Sequence, residues 1–121
     1  MAALDRPILV IEDDETIRRA LQMALESFGF PVVPAANGQE GLDAIGRKLP
    51  SLVLLDMKMP VMDGWQFCEA LPSRGFDPPV VVMTTRVDAA RTAEELGVAG
   101  YLPKPFDLQE LLAVVHQHRI P

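Results

Sequence analysis

Apolar residues fall into two rhythms along this chain. Ile8 to Ile11, Leu52 to Leu55 and Val80 to Met83 are short unbroken apolar runs, the pattern of strands covered on both faces and hence of a parallel sheet. Between them the period lengthens. Ile17, Ala20, Leu21, Ala24, Leu25 and Phe28 lie at i, i+3, i+4, i+7, i+8 and i+11, which predicts an amphipathic helix, and Asp14 stands where its cap belongs. Asn37 with Glu40 three residues on forms a capping box for a second helix with Leu42, Ile45 and Leu49 as its buried stripe. Phe67, Cys68 and Leu71 place a third helix over 64–71, and a short fourth runs from Asp88 to Leu96 with Gly97 as its stop. A second box, Asp107 with Glu110, opens the last helix, whose apolar positions are Leu108, Leu111, Leu112 and Val115.

Phe30 to Pro34 and Ala99 to Leu102 are weaker strands. Each carries or adjoins a proline that cannot donate to a ladder, so both belong at sheet edges. The result is five alternations of strand and helix, for which an α/β sheet with right-handed crossovers is the favoured solution. In such a sheet, ligands bind beyond the carboxyl ends of the strands.

Composition narrows the function. With 121 residues and 49% hydrophobic content, one domain spanning 1–121 can bury a core without disulfides, and a single Cys68 allows no internal one. A formal charge of −6 argues against a chain whose task is neutralising nucleic-acid phosphates or anionic lipid. No apolar run approaches the roughly 18 residues that cross a bilayer. The opening MAALDRPILV lacks the long apolar stretch of a secretory signal, so a cytoplasmic setting is expected.

Polar groups collect where that sheet rule looks for them. The first strand ends in Glu12, Asp13 and Asp14, the third in Asp56 and the fourth in Thr84, while the fifth leads to Lys104. Singly, these read as a helix cap, a turn residue, a strand threonine and a solvated lysine. Loose surface groups have no reason to end four strands at one edge, so together they read as a site. Glu12, Asp13 and Asp56 concentrate negative charge against one lysine, which suits a hard cation, Mg²⁺ or Mn²⁺. Once that charge is reduced, Asp56 can act as a carboxylate nucleophile toward phosphorus, with Lys104 and the Thr84 hydroxyl holding phosphoryl oxygens.

The segments ILVIEDDE, LVLLDMKMPVMDGW, VVVMTTR and GYLPKPF, in that order, closely resemble response regulator receiver domains over nearly the whole chain. The resemblance implies a flavodoxin-like receiver: a doubly wound five-stranded parallel sheet of strand order 2-1-3-4-5 with helices on both faces. It implies an acidic pair in Glu12 and Asp13, a phosphoacceptor in Asp56 and a metal-binding backbone carbonyl at Lys58. Thr84 and Lys104 would be the phosphoryl ligands, and Asp14 would be left as a cap. Thr84 and Tyr101 would form the switch, the threonine moving inward and the aromatic changing rotamer. The implied partners are a sensor histidine kinase or phosphotransfer protein and a downstream protein target, with no direct nucleic-acid contact and no membrane insertion. Such a domain assists its own phosphorylation and slow dephosphorylation without being a turnover enzyme.

Departures from the family pattern are local. The interval from Thr84 to Lys104 is short, so a shortened or rotated fourth helix is expected; Thr85 stands where a smaller residue is common; Pro103 stiffens the approach to Lys104. Lys58, two residues after the acceptor, has a side chain that could lie over the phosphoryl group and set its lifetime. A pseudo-receiver, kept only as a binding module, would lack one of these groups. A phosphatase with an aspartate nucleophile would place a second acid where Lys58 stands, and neither glycine fingerprint of nucleotide-binding loops follows the first strand. Met57, Met59 and Met62 read as packing beneath the acceptor loop, Cys68 as a small core residue, and His116 and His118 as surface groups at a helix end.

Overall fold

Strands and helices alternate five times in the computed structural model, which describes residues 6–59, 61–73 and 78–120. The first five residues, read above for the lack of a signal, and Pro60 of the segment LVLLDMKMPVMDGW lie outside the described residues. The order is β1 (Ile8–Ile11), α1 (Glu15–Ser27), β2 (Val32–Ala35), α2 (Gly38–Arg47), β3 (Leu52–Asp56), α3 (Gly64–Ser73), β4 (Val80–Thr85), α4 (Ala89–Leu96), β5 (Gly100–Lys104) and α5 (Leu108–His118). All pairings are parallel, and the sheet runs β2-β1-β3-β4-β5. This is the doubly wound α/β arrangement expected.

The unbroken apolar runs now have a cause. Ile8 and Val10 pack with Leu21, Leu25, Leu111 and Val115 on the face covered by α1 and α5. Leu9 and Ile11 point the other way, into a second core with Leu42, Ile45 and Phe67 from α2 and α3 and Ala93 from α4. Every residue of the central strands but Thr85, at the end of β4, is buried whichever way it points, and each large apolar one contributes about 1.5–3 kcal/mol of burial.

Edges and ends differ from the expectations in detail. β2 begins at Val32 and includes Ala35, and β5 extends to Lys104, so Pro34 and Pro103 sit inside their strands, in register with Val10 and Thr84. Both strands are edges, as proline demands. In α1 only Leu21 and Leu25 of the apolar stripe are fully buried; Ile17 and Ala20 face outward over a groove of about 620 Å³ shared with Phe106 and Leu108. α2 ends at Arg47, leaving Leu49 to pack from the following loop. α4 spans only eight residues and ends on Gly97, whose left-handed φ of 68° suits glycine.

The capping signals were accurate at α5, where Asp107 accepts from the Glu110 amide and Glu110 accepts from the Asp107 amide. At α2, Asn37 caps as expected, but Glu40 reaches one residue further back, to the Ala36 amide. A reciprocal pair at α3 went unread: Asp63 accepts from the Gln66 amide while the Gln66 side chain accepts from the Asp63 amide. Among the described residues, no helix is long and apolar enough to cross a membrane.

Candidate functional site

The carboxyl edge of the sheet gathers the charged groups. Glu12 follows β1, Asp56 ends β3, Thr84 and Thr85 end β4, and Lys104 ends β5. The register places Asp56 beside Met83 and Thr85 beside Lys104, so the groups arrive on neighbouring strands. Asp13 sits in the turn leading to α1, whose N-cap Asp14 accepts from the Ile17 amide; Asp14 is thus a cap, as read.

Glu12, Asp13 and Asp56 each offer a carboxylate oxygen within 4.8 Å of the other two. Their environments differ sharply. Glu12 is 1% exposed and Asp56 6%, whereas Asp13 lies in solvent. Lys104 Nζ donates to Glu12 Oε1 at 3.1 Å and to Asp56 Oδ1 at 3.2 Å, so one ammonium bridges two buried carboxylates. The Lys104–Pro105 peptide is cis.

Two acids sharing one cation set the electrostatics. Burial, with the Asp56 charge beside it, pushes the Glu12 carboxyl up to about 7, more than Lys104 and the Asp14 amide return. Lys104 itself is held above its ordinary range: burial lowers it, but the bonds and charges of Glu12 and Asp56 outweigh that. The site is therefore short of positive charge. Three hard oxygen donors around such a deficit fit Mg²⁺ or Mn²⁺.

The other expected residues are distributed around this centre. Thr84 is buried at the end of β4, while Lys58 is exposed beyond β3. Tyr101 is 44% exposed, so it is not the core aromatic that an edge-strand tyrosine could have been. Thr85 points outward, and its hydroxyl donates to Asp88 Oδ2 at 3.0 Å; Asp88 also takes Arg91 and caps α4 without a side-chain bond to its backbone. Met57 is buried, and Met59 and Met62 pack against the same core, the packing role read for them above. Gly64 closes the loop after Asp56 by donating to the Met57 carbonyl at 3.2 Å; a Cβ there would stand 2.5 Å from the Met57 sulfur. Within that loop Val61 adopts φ 70°, a left-handed conformation unfavourable for a β-branched residue.

Arg18 was missed. Its Nη1 donates to the main-chain carbonyls of Glu12 at 2.8 Å and Asp13 at 3.3 Å. The signal was present: a cation in the first turn and a half of α1 opposes the helix dipole, a sign that its head group is used elsewhere.

Residues 8–116 match the family model of the response regulator receiver domain, and the chain belongs to that family of two-component signalling proteins. The response regulator MprA of Mycolicibacterium vanbaalenii is 43% identical over 108 residues, which are 88% of this chain and 47% of that protein. MprA of Mycobacterium avium is 42% identical over the same length. The chain thus spans about half the length of the curated relatives it matches. Among solved structures, the chemotaxis protein CheY4 of Vibrio cholerae superposes with a TM-score of 0.84 at 26% identity, covering 93% of this chain and 98% of that one. A putative response regulator from Chloroflexus aurantiacus gives 0.81 at 30% identity, covering 93% and 95%.

Proposed function

We propose that this chain is a phosphorylation-dependent switch in which Asp56 accepts a phosphoryl group from a histidine-phosphorylated kinase or phosphotransfer protein. The observation that carries the reading is the bridged pair: a buried Asp56 carboxylate held by Lys104 beside Glu12 and within 4.8 Å of Asp13. Glu12, Asp13, Asp56 and the Lys58 carbonyl would hold a divalent cation. When bound, that cation neutralises charge as the phosphoryl oxygens arrive.

Asp56 attacks phosphorus through a carboxylate oxygen; the new P–O bond forms as the donor's P–N bond breaks, and the electron pair leaves with the imidazole. Lys104 then serves a phosphoryl oxygen instead of the Asp56 carboxylate, and the Thr84 hydroxyl donates to another. Thr84 is drawn inward by that bond, and Tyr101, exposed in this state, has room to follow. A downstream protein reads the change. Water later cleaves the acyl phosphate, so the domain assists its own cycle without being a turnover enzyme. A cytoplasmic setting suits such donors, and the partners expected are proteins rather than nucleic acid or lipid.

Intact-mass measurement after incubation with Mg²⁺ and acetyl phosphate tests this. Wild type should gain one phosphoryl group and Asp56→Asn none. An unmodified wild type would favour a pseudo-receiver acting only as a binding module. The same phosphoprotein reports on Lys58, exposed two residues beyond the acceptor. Its decay should change several-fold in Lys58→Ala if the side chain covers the phosphoryl group, and equal decay rates would end that idea.

A further inference from the structure

Of the three carboxylates, Asp13 is the one without a partner among the described residues. Glu12 is fixed by burial, by Lys104 and by the Asp14 amide, which donates to its Oε2 at 3.3 Å; Asp56 is fixed by burial and Lys104. Among the described residues, no hydrogen bond or ion pair reaches the exposed Asp13 carboxylate. Its place within 4.8 Å of the other two acids is therefore set by its backbone.

That backbone is clamped from α1. Arg18 Nη1 donates to the carbonyls on either side of the Asp13 α-carbon, those of Glu12 and Asp13. Two fixed carbonyls fix the planes of two consecutive peptides, and with them the dihedrals that aim the Asp13 side chain. The guanidinium makes no ion pair with a carboxylate among the described residues. Its bonds go to the main chain instead.

We infer that Arg18 is a positioning residue for the metal site: it acts through the 12–13 backbone to hold Asp13 in ligating position. The inference rests on the proposed divalent-cation site. Two effects of Arg18 oppose each other and can be separated. As a nearby positive charge it repels a cation, weakly, since its half-buried head group is still reached and screened by solvent and salt. As a clamp it preorganises a ligand, and losing such outer-shell support typically costs about 10–100-fold in metal affinity. Removing it therefore weakens binding if positioning dominates and tightens binding if charge dominates.

Calorimetric titration of the protein with Mg²⁺ decides between them, with melting in the absence of metal as the structural readout. Arg18→Met and Arg18→Gln should each bind Mg²⁺ roughly tenfold more weakly than wild type while melting within a few degrees of it. Arg18→Lys, which keeps a charged donor, should recover part of the loss. Arg19→Met removes the same charge one residue on, without the carbonyl bonds, and should leave affinity within about twofold. The inference is overturned if the neutral Arg18 variants bind as tightly as wild type or more tightly, if Arg19→Met weakens binding equally, or if Arg18→Lys does no better than Arg18→Met. Failure of both neutral variants to fold would make Arg18 simply structural and also overturn it. A wild type that takes up no Mg²⁺ sinks the proposed site itself, and the Arg18 role with it.

Discussion

Lys104→Met should destabilise the metal-free protein by about 3 kcal/mol at about pH 8, and by much less at about pH 5. The substitution keeps the apolar stem and removes the ammonium that bridges Glu12 and Asp56, leaving two buried carboxylates face to face. Breaking a buried pair is costly because the remaining charge loses its partner without regaining water. Here protonation of Glu12 offers an escape that becomes easier as pH falls, since that carboxyl already sits up at about 7 with Lys104 in place. Saturating Mg²⁺ should restore most of the lost stability, because it returns positive charge to the same acids, while phosphoryl transfer to Asp56 stays impaired for want of the lysine's bond. Urea midpoints at the two pH values provide the measurement. An equal loss at both would show that only the packing of the side chain mattered.

The wild-type protein should itself become less stable as pH rises from about 5 to about 7.5 in the absence of divalent metal, by about 2 kcal/mol, with a slope of at most roughly 1.4 kcal/mol per unit. The sign follows from Glu12. Its carboxyl titrates near 4.5 when unfolded and near 7 when folded, so between those values the folded state binds the extra proton. Stability from that group is complete below the unfolded value and is lost as pH climbs through the folded one. Glu12→Gln keeps the shape without the charge and should flatten the slope. A bound cation substitutes for the proton, and at about 100 times its dissociation constant it returns about 2.7 kcal/mol. Mg²⁺ should therefore raise the melting temperature above pH 7 far more than below pH 5. A slope that persists unchanged in Glu12→Gln would place its origin elsewhere.

How far the chain could be read before its structure follows from what kind of physics each feature obeys. The central strands, the α5 capping box and the convergence of Glu12, Asp56, Thr84 and Lys104 on one sheet edge were legible, because burial on two faces and backbone capping leave fixed spacings in the sequence. The outward face of Ile17 and Ala20 was not. Periodicity shows that a helix has an apolar side, not how much of it a neighbour covers. Adjacent acids were treated alike, yet Glu12, directly after β1, is buried, and Asp13, in the turn into α1, is exposed. The reach of Arg18 was hidden for a related reason: a long flexible side chain can meet any of several partners, and only the three-dimensional turn selects the carbonyls of Glu12 and Asp13. Nothing about Val61 as a residue type announces a left-handed backbone; the closed loop between Met57 and Gly64 imposes it.

Both open borders of the sheet carry a proline in mid-strand, Pro34 in β2 and Pro103 in β5, and the inner ladders run through them in register. The donor that is missing is one an arriving strand would have to find. Docking by strand addition, and the uncontrolled edge-to-edge growth that leads to aggregates, are thus both disfavoured by the same two residues. On the proposed function, docking with kinase and target falls to helices and loops, whose surfaces can change when Asp56 is phosphorylated.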